Sequence, residues 1–163
     1  GYGLRRLVAE RARSAREAVE IAGTLIEEFG YTSGRSYQFC DKNEAWVFQI
    51  PTGRRYVAKR IPDDHVYMIP NNYTIHEVDF ADAEHKNCYF SKDLVEYAMK
   101  NGWYQPAVPG DYSDFDFARA YQDGPDKVHN LIRARAQHKL LQSMEDQYTK
   151  MCDIVKEEIN KLK

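Results

Sequence analysis

The sequence predicts an α+β fold, in which an antiparallel meander sheet packs against helices and a C-terminal helix follows. Three observations support this fold class. Apolar residues recur at helical spacing near the start, several short strand-like runs follow, and helical spacing returns from about residue 127 to the end. The chain has 163 residues, of which 43% are hydrophobic and 29% charged, so it contains enough apolar material for a folded core.

Two helices are predicted before the strands. The apolar spacing over residues 4–12 indicates the first helix. Ser14 and Glu17 have the spacing of a capping box, which predicts that a second helix runs from residue 15 to residue 29. Gly30 stands just past its end, where a left-handed residue is common. The apolar face of the second helix is expected to consist of Ala18, Val19, Ala22, Leu25, Ile26 and Phe29.

Four sequential strands are predicted next, at least three of them joined as an antiparallel meander. The strand-like runs are SGRSYQFCD, EAWVFQI, RRYVAKRI and HVYMIPN, and the turn signals DKN, PTG and PDD separate them. In the second strand Trp46, Phe48 and Ile50 should point to one face, and the alternate residues, among them Val47, to the other. Both faces are partly apolar, so we expect the sheet to be covered on both sides.

The second half is predicted to be mainly helical after an irregular acidic stretch. A short helix should begin near Ser91 and Asp93 and end at Gly102, and FDFARAY indicates one or two helical turns. From about Lys127 the pattern is helical to the end. We interpret this helix as packing on its own domain, with an oligomer contact as the alternative, because its repeat is shorter than three or four heptads. Its apolar stripe is Leu141, Met144, Tyr148, Met151, Val155, Ile159 and Leu162.

Composition excludes several classes of protein. The formal net charge is −2, so binding of nucleic acid through a general basic field is not expected. No apolar stretch reaches the roughly 18 residues of a membrane span, and the first residues lack the apolar core of a secretory signal. Three widely spaced cysteines do not make a disulfide framework, and this fits a reducing compartment, so we expect a cytoplasmic location.

By themselves, the chemical motifs of the sequence do not identify an active site. No glycine-rich phosphate loop and no HExxH motif occurs, so no cofactor and no metal are expected. Cys40 is interpreted as a small buried residue of a strand. Cys88 with His85 is a weak candidate for a thiol–histidine pair. His76 and His85 with Asp79 or Asp82 form a weak candidate for a metal site.

Three consecutive strings carry a resemblance to a known family. RARSAREAVEIAGTLIEEFG, SGRSYQFCDKNEAWVFQI and RRYVAKRIPDDHVYMIPNNYTIHEVDF resemble the C69 family of dipeptidases. These are N-terminal-nucleophile hydrolases, related in fold to penicillin V acylase and bile salt hydrolase. The resemblance covers residues 4–121, with a weaker continuation through HNLIRAR. It implies that the meander is part of an αββα sandwich, residues 1–124 being part of that domain and residues 125–163 a C-terminal helical segment.

The resemblance also implies a mechanism and a set of supporting residues. A cysteine at the start of the mature chain attacks the peptide carbonyl, and its own α-amino group, with a pKa of about 8, serves as the base. The PNN string matches the position of an asparagine near the nucleophile, which makes Asn71 the candidate and Asn72 the fallback. An arginine of a later helix also lines the site, and Arg133 is the candidate, ahead of Arg135.

No cysteine of this sequence matches the nucleophile of that family. We therefore expect the chain to be a fragment of a cysteine-type dipeptidase, inactive in isolation, with a dipeptide as substrate only in the complete enzyme. The alternative is a non-catalytic association module derived from the same fold. A sandwich cut in half exposes a sheet face or edge. A homo-oligomer, most simply a two-fold dimer, is expected if the meander of residues 36–71 or the C-terminal stripe replaces the missing half.

Overall fold

The computed structural model describes residues 2–122, 124 and 128–161, without the side chains of residues 2, 128, 129, 158 and 159. The chain divides into two compact units, Gly1–Pro125 and Asp126–Lys163. The elements of the first unit are α1 Tyr2–Ala9, α2 Ala15–Phe29, β1 Arg35–Cys40, β2 Ala45–Ile50, β3 Val57–Ile61, β4 Cys88–Phe90, α3 Leu94–Lys100 and α4 Phe117–Tyr121. The second unit contains α5, Val128–Lys161.

Helix α2 has the bounds that its capping residues predict. The Ser14 Oγ accepts a hydrogen bond from the Glu17 N–H at 3.1 Å, which opens the helix as expected. The Glu17 carboxylate differs from an ideal capping box, because it accepts from the N–H of Arg13 at 2.7 Å rather than from that of Ser14. Gly30 has a φ of 73° and ends the helix. Phe29 is 71% exposed, so its assignment to the apolar face is wrong: the chain turns away at Gly30.

The predicted meander is present, but its fourth member is a different segment. Strands β1, β2 and β3 pair antiparallel in sequence order. Residues 65–71, the predicted fourth strand, form no strand. The fourth strand is β4, antiparallel to β3, which comes from the end of a stretch that the sequence predicts to be irregular. Residues 65–71 have no place beside β3, because β4 occupies it. The segment that follows them is held by the Gln49 side chain and by α4, whose Ala118 N–H donates to the Ile75 carbonyl at 3.0 Å.

The sheet is covered on both faces, as the alternating apolar pattern predicts. On one face Trp46, Phe48 and Ile50 belong to a core that also contains residues of α1 and α2. On the other face Val47 belongs to a core that also contains Ile75 and residues of α3 and α4. The expectation of an uncovered sheet face is therefore wrong for the described residues, since irregular segments and short helices occupy the second face.

The later helices follow the predicted order with local differences. Asp93 stands at the N-cap of α3, but its carboxylate makes no cap and binds the Arg55 guanidinium instead. Gly102 has a φ of 71°, which fits its predicted place after the helix. Of the predicted C-terminal features, Lys127, Leu162 and the side chain of Ile159 lie outside the described residues. No helix in the described part of the chain is long and apolar enough to cross a membrane.

Candidate functional site

Asn71 lies exposed on a loop whose two ends are tied together. The Tyr67 hydroxyl donates to the Thr74 carbonyl at 2.9 Å, and this bond closes the base of the loop. Burial raises the pKa of Tyr67, so its hydroxyl remains a protonated donor near neutral pH. The Asn72 N–H donates to the Pro70 carbonyl at 2.6 Å and tightens the chain around Asn71. Asn71 is therefore presented to solvent from a short, internally bonded loop.

Gln49 fixes the end of this loop to strand β2. Its side chain is fully buried, with 0% exposure. The amide oxygen accepts from the backbone N–H groups of Thr74 at 3.0 Å and Ile75 at 3.1 Å. The amide nitrogen donates to the Ser36 and Thr74 hydroxyl oxygens, both at 3.1 Å. Two donors and two acceptor sites are the full capacity of a glutamine amide, so the group is completely satisfied in the core.

Tyr73 provides a second attachment for the same segment. Its N–H donates to the Gln122 side-chain oxygen at 2.9 Å, and its hydroxyl donates to the Ile50 carbonyl at 2.9 Å. Burial raises the pKa of Tyr73 to about 12, which keeps the hydroxyl a donor. A side chain at Gly34 would collide with this hydroxyl, so glycine at that position makes room for the bond. Two glutamine side chains thus bind the backbone N–H groups of residues 73–75, and the Ile75 carbonyl accepts from the Ala118 N–H of α4 at 3.0 Å.

The other predicted site residues have different surroundings. Asn72 is half-buried and its amide nitrogen donates to the Tyr73 carbonyl at 3.2 Å, whereas Asn71 is exposed, so Asn71 is the more accessible amide. Arg133 and Arg135 are exposed on α5. Asn71 and Arg133 belong to different compact units. Their roles stay predictions.

Comparison with known proteins decides the family. The family model for Peptidase family C69 matches residues 3–161, which is nearly the whole chain. The chain belongs to peptidase family C69. The resemblance seen in the sequence strings is thereby confirmed.

Curated relatives of this C69 chain carry dipeptidase names. A probable dipeptidase of Latilactobacillus sakei is 35% identical over 95 residues, which are 58% of this chain and 20% of the relative. A dipeptidase of Bifidobacterium longum (strain NCC 2705) is 35% identical over 97 residues, 58% of this chain and 18% of the relative. A probable dipeptidase of Salmonella dublin is 33% identical over 124 residues, 75% of this chain and 27% of the relative. The chain therefore spans between 18% and 27% of these relatives.

Cys88 does not have the surroundings of an activated thiol. It is buried, and burial raises the pKa of its thiol to about 11, which keeps it protonated near neutral pH. His85 does not pair with the thiol: its Nδ1 lies 3.0 Å from the Cys88 carbonyl oxygen, and its ring stacks on Tyr89. The thiol–histidine candidate is therefore wrong in this geometry.

Cys40 is exposed, so its interpretation as a buried strand residue is wrong. It is the last residue of β1, and β1 is an edge strand of the sheet. Its surroundings form a surface groove that Arg13, Ser14 and Asp41 also line. Cys152 is half-buried on α5, and all three cysteines are free.

The candidate metal ligands make ordinary structural contacts. The His76 Nδ1 lies 3.0 Å from a carboxylate oxygen of Asp116, the N-cap residue of α4. Asp82 accepts from three successive backbone N–H groups, those of residues 86–88, which lower the pKa of its carboxyl group. Among the described residues, no group of three or more metal-binding side chains comes together.

Sequence reasoning missed the residues that hold the Asn71 loop, namely Gln49, Tyr67 and Gln122. The available signal was Gln49 itself, a polar residue at a strand position on the same face as Val47. A buried polar side chain is nearly always hydrogen-bonded, so a glutamine there indicates a polar partner in the segment that covers this face. The pattern does not reveal which segment that is, because its partners lie 25 and 26 residues further along the chain.

Proposed function

We propose that the chain is part of a cysteine-type dipeptidase of the N-terminal-nucleophile class, built on an αββα sandwich. The proposal is supported by the family match over residues 3–161 and by the dipeptidase names of the relatives. Residues 1–124 belong to the catalytic domain in this proposal, and residues 125–163 form its C-terminal helical segment. The substrate is a dipeptide and the location is the cytoplasm, where three free cysteines fit a reducing environment.

The proposed nucleophile is an N-terminal cysteine outside these 163 residues. Its sulfur forms a bond to the peptide carbonyl carbon, its α-amino group takes the thiol proton, and the carbonyl electron pair moves onto oxygen. When the C–N bond breaks, that proton passes to the leaving amine and a thioester remains. Water then hydrolyses the thioester and restores the thiol. No cofactor or metal takes part in these steps.

Asn71 is proposed to donate its side-chain N–H to the oxyanion. A fixed donor aimed at the developing charge is among the larger contributions to such reactions. The exposed amide and the tied loop that carries it support this role. Arg133 is proposed to bind the carboxylate end of the dipeptide, which suits a guanidinium.

The test uses the complete open reading frame that contains this segment. We expect it to hydrolyse dipeptides, and iodoacetamide to abolish turnover by alkylating a cysteine other than Cys40, Cys88 and Cys152. Asn71→Ala should lower kcat by about 10²- to 10³-fold, the usual loss of one oxyanion donor. Asn72→Ala is the matched control and should change kcat much less. Inactivation that maps to Cys40, or an Asn71→Ala enzyme with unchanged kcat, would contradict the proposal.

A non-catalytic association module is the second candidate. It is supported by the exposed apolar residues of α5, among them Met144, Tyr148 and Met151. The same assay separates the two functions. The module predicts that the purified product of the complete reading frame hydrolyses no dipeptide in a broad panel, and that alkylation of its thiols leaves its association unchanged.

A further inference from the structure

We propose that Gln49 is a positioning residue for the site, which acts by holding the loop that presents Asn71. The inference rests on the proposed role of Asn71. It is carried by the hydrogen bonds of one buried amide, which joins strand β2 to the residues that end the loop. Gln49 touches no substrate in this proposal and acts through Asn71 alone.

The geometry makes Gln49 the common anchor of the loop end. Its amide oxygen receives the N–H groups of two successive residues, Thr74 and Ile75, at 3.0 and 3.1 Å. Its amide nitrogen reaches the Thr74 hydroxyl as well, so Thr74 is bound to Gln49 through both backbone and side chain. Thr74 in turn receives the Tyr67 hydroxyl, which closes the loop from its other end. Loss of Gln49 therefore leaves two successive backbone N–H groups at the loop end without their acceptor, while Tyr73 remains attached through Gln122 and Ile50.

An apolar residue at position 49 would leave two backbone hydrogen-bond donors without their acceptor. These are the N–H groups of half-buried Thr74 and buried Ile75, and an unpaired donor shielded from water is unfavourable. The segment must then move toward water or another acceptor, and Asn71 moves with it. Since an oxyanion donor acts within a few tenths of an ångström of its place, such a shift lowers kcat more than it weakens substrate binding.

The first test measures the loop in the chain itself. In Gln49→Met, amide hydrogen exchange at Thr74 and Ile75 should become faster by about tenfold. This factor corresponds to the net free energy that one hydrogen bond contributes. Exchange at Ala58, in the paired strand β3, should not change. Ser91→Ala is the matched control, because Ser91 is also buried and its Oγ accepts a backbone N–H, that of Tyr56, at 3.3 Å. Unchanged exchange at Thr74 and Ile75 would overturn the inference.

The second test is a double-mutant cycle on dipeptide hydrolysis by the complete enzyme. Gln49→Met should lower kcat with little change in KM, and adding it to Asn71→Ala should lower kcat no further, since both act through one group. Ser91→Ala should leave kcat unchanged. If Gln49→Met does not fold, Thr74→Val replaces it, because it removes the oxygen that the Gln49 amide nitrogen contacts.

The outcomes separate this inference from the proposed function. An Asn71→Ala enzyme with normal kcat overturns the role of Asn71 and the inference with it. A lowered kcat in Asn71→Ala together with a normal kcat in Gln49→Met overturns the inference alone. Additive losses in the double variant also overturn it, because they show that Gln49 supports the fold or the reaction independently of Asn71.

Discussion

Trp46 shows how one side chain organises the core of the first unit. It is 0% exposed, packs edge-to-face on Tyr89 with ring centroids 5.4 Å apart, and lies under the Arg16 guanidinium at 4.9 Å. We expect Trp46→Ala to lower the free energy of unfolding by about 3–5 kcal/mol, through lost burial and the cavity that remains. Chemical denaturation measures this change.

The second tryptophan of the chain is the natural control. Trp103 is 48% exposed, although its ring also contacts two tyrosine rings. Trp103→Ala should therefore lower the free energy of unfolding by a smaller amount than Trp46→Ala. An equal decrease in the free energy of unfolding in the two variants would mean that burial of Trp46 is not what stabilises this core.

Among the elements, Asp41 joins the start of α2 to the turn between β1 and β2. One carboxylate oxygen accepts from the Ala15 N–H at 2.7 Å, and the other from the N–H groups of Asn43 and Glu44 at 2.7 and 3.1 Å. These bonds, that of Ala15 first, lower the pKa of Asp41. The carboxylate therefore stabilises the fold fully above the ordinary Asp pKa of about 3.9, and this stabilisation is lost as pH falls through the lowered folded pKa.

We expect Asp41→Asn to unfold more easily than the unaltered chain at neutral pH, because one amide oxygen cannot serve both the helix and the turn. The difference in unfolding free energy should shrink as pH falls below the ordinary Asp pKa of about 3.9. Denaturation across a pH series measures it, with Asp146→Asn, an exposed carboxylate of α5, as the control. If the difference in unfolding free energy stays the same at every acidic pH of the series, the charge of the Asp41 carboxylate has no role in stability.

At the scale of the whole molecule, the surfaces left for the predicted homo-oligomer are the edge strand β1 and the apolar stripe of α5. Both sheet faces are covered, whereas Met144, Tyr148, Met151 and Val155 are between 51% and 65% exposed. Their 3-4 spacing is that of a coiled-coil seam. We expect a two-fold dimer through this stripe, and light scattering at several concentrations measures its mass.

Variants of α5 localise such an interface. Met144→Glu with Met151→Glu should give a monomer, because two charges would enter an apolar seam. Ser143→Glu with Thr149→Glu adds the same charge outside the stripe and should leave the dimer intact. A monomeric mass for the unaltered chain at all concentrations would exclude the dimer and leave the stripe without this role.

The features that the sequence predicts correctly depend on neighbours in the chain. Ser14 and Gly30 bound α2 because a helix end is stabilised within a few residues. The meander follows from alternation and short turns, which pair strands that are adjacent in sequence. Family membership also came from the sequence, since the matching strings are contiguous.

The features that only the tertiary structure decided depend on distant partners. The run of residues 65–71 has strand-like composition, yet β4 occupies the place beside β3, and the chain near residue 74 binds the Gln49 side chain instead. Cys40 is exposed because it ends an edge strand, and strand order is a property of the assembled sheet. Local pattern reports which residues favour a strand or burial. Competition for partners far along the chain decides which of these residues join a strand or become buried. The same competition decides the surroundings of Asn71.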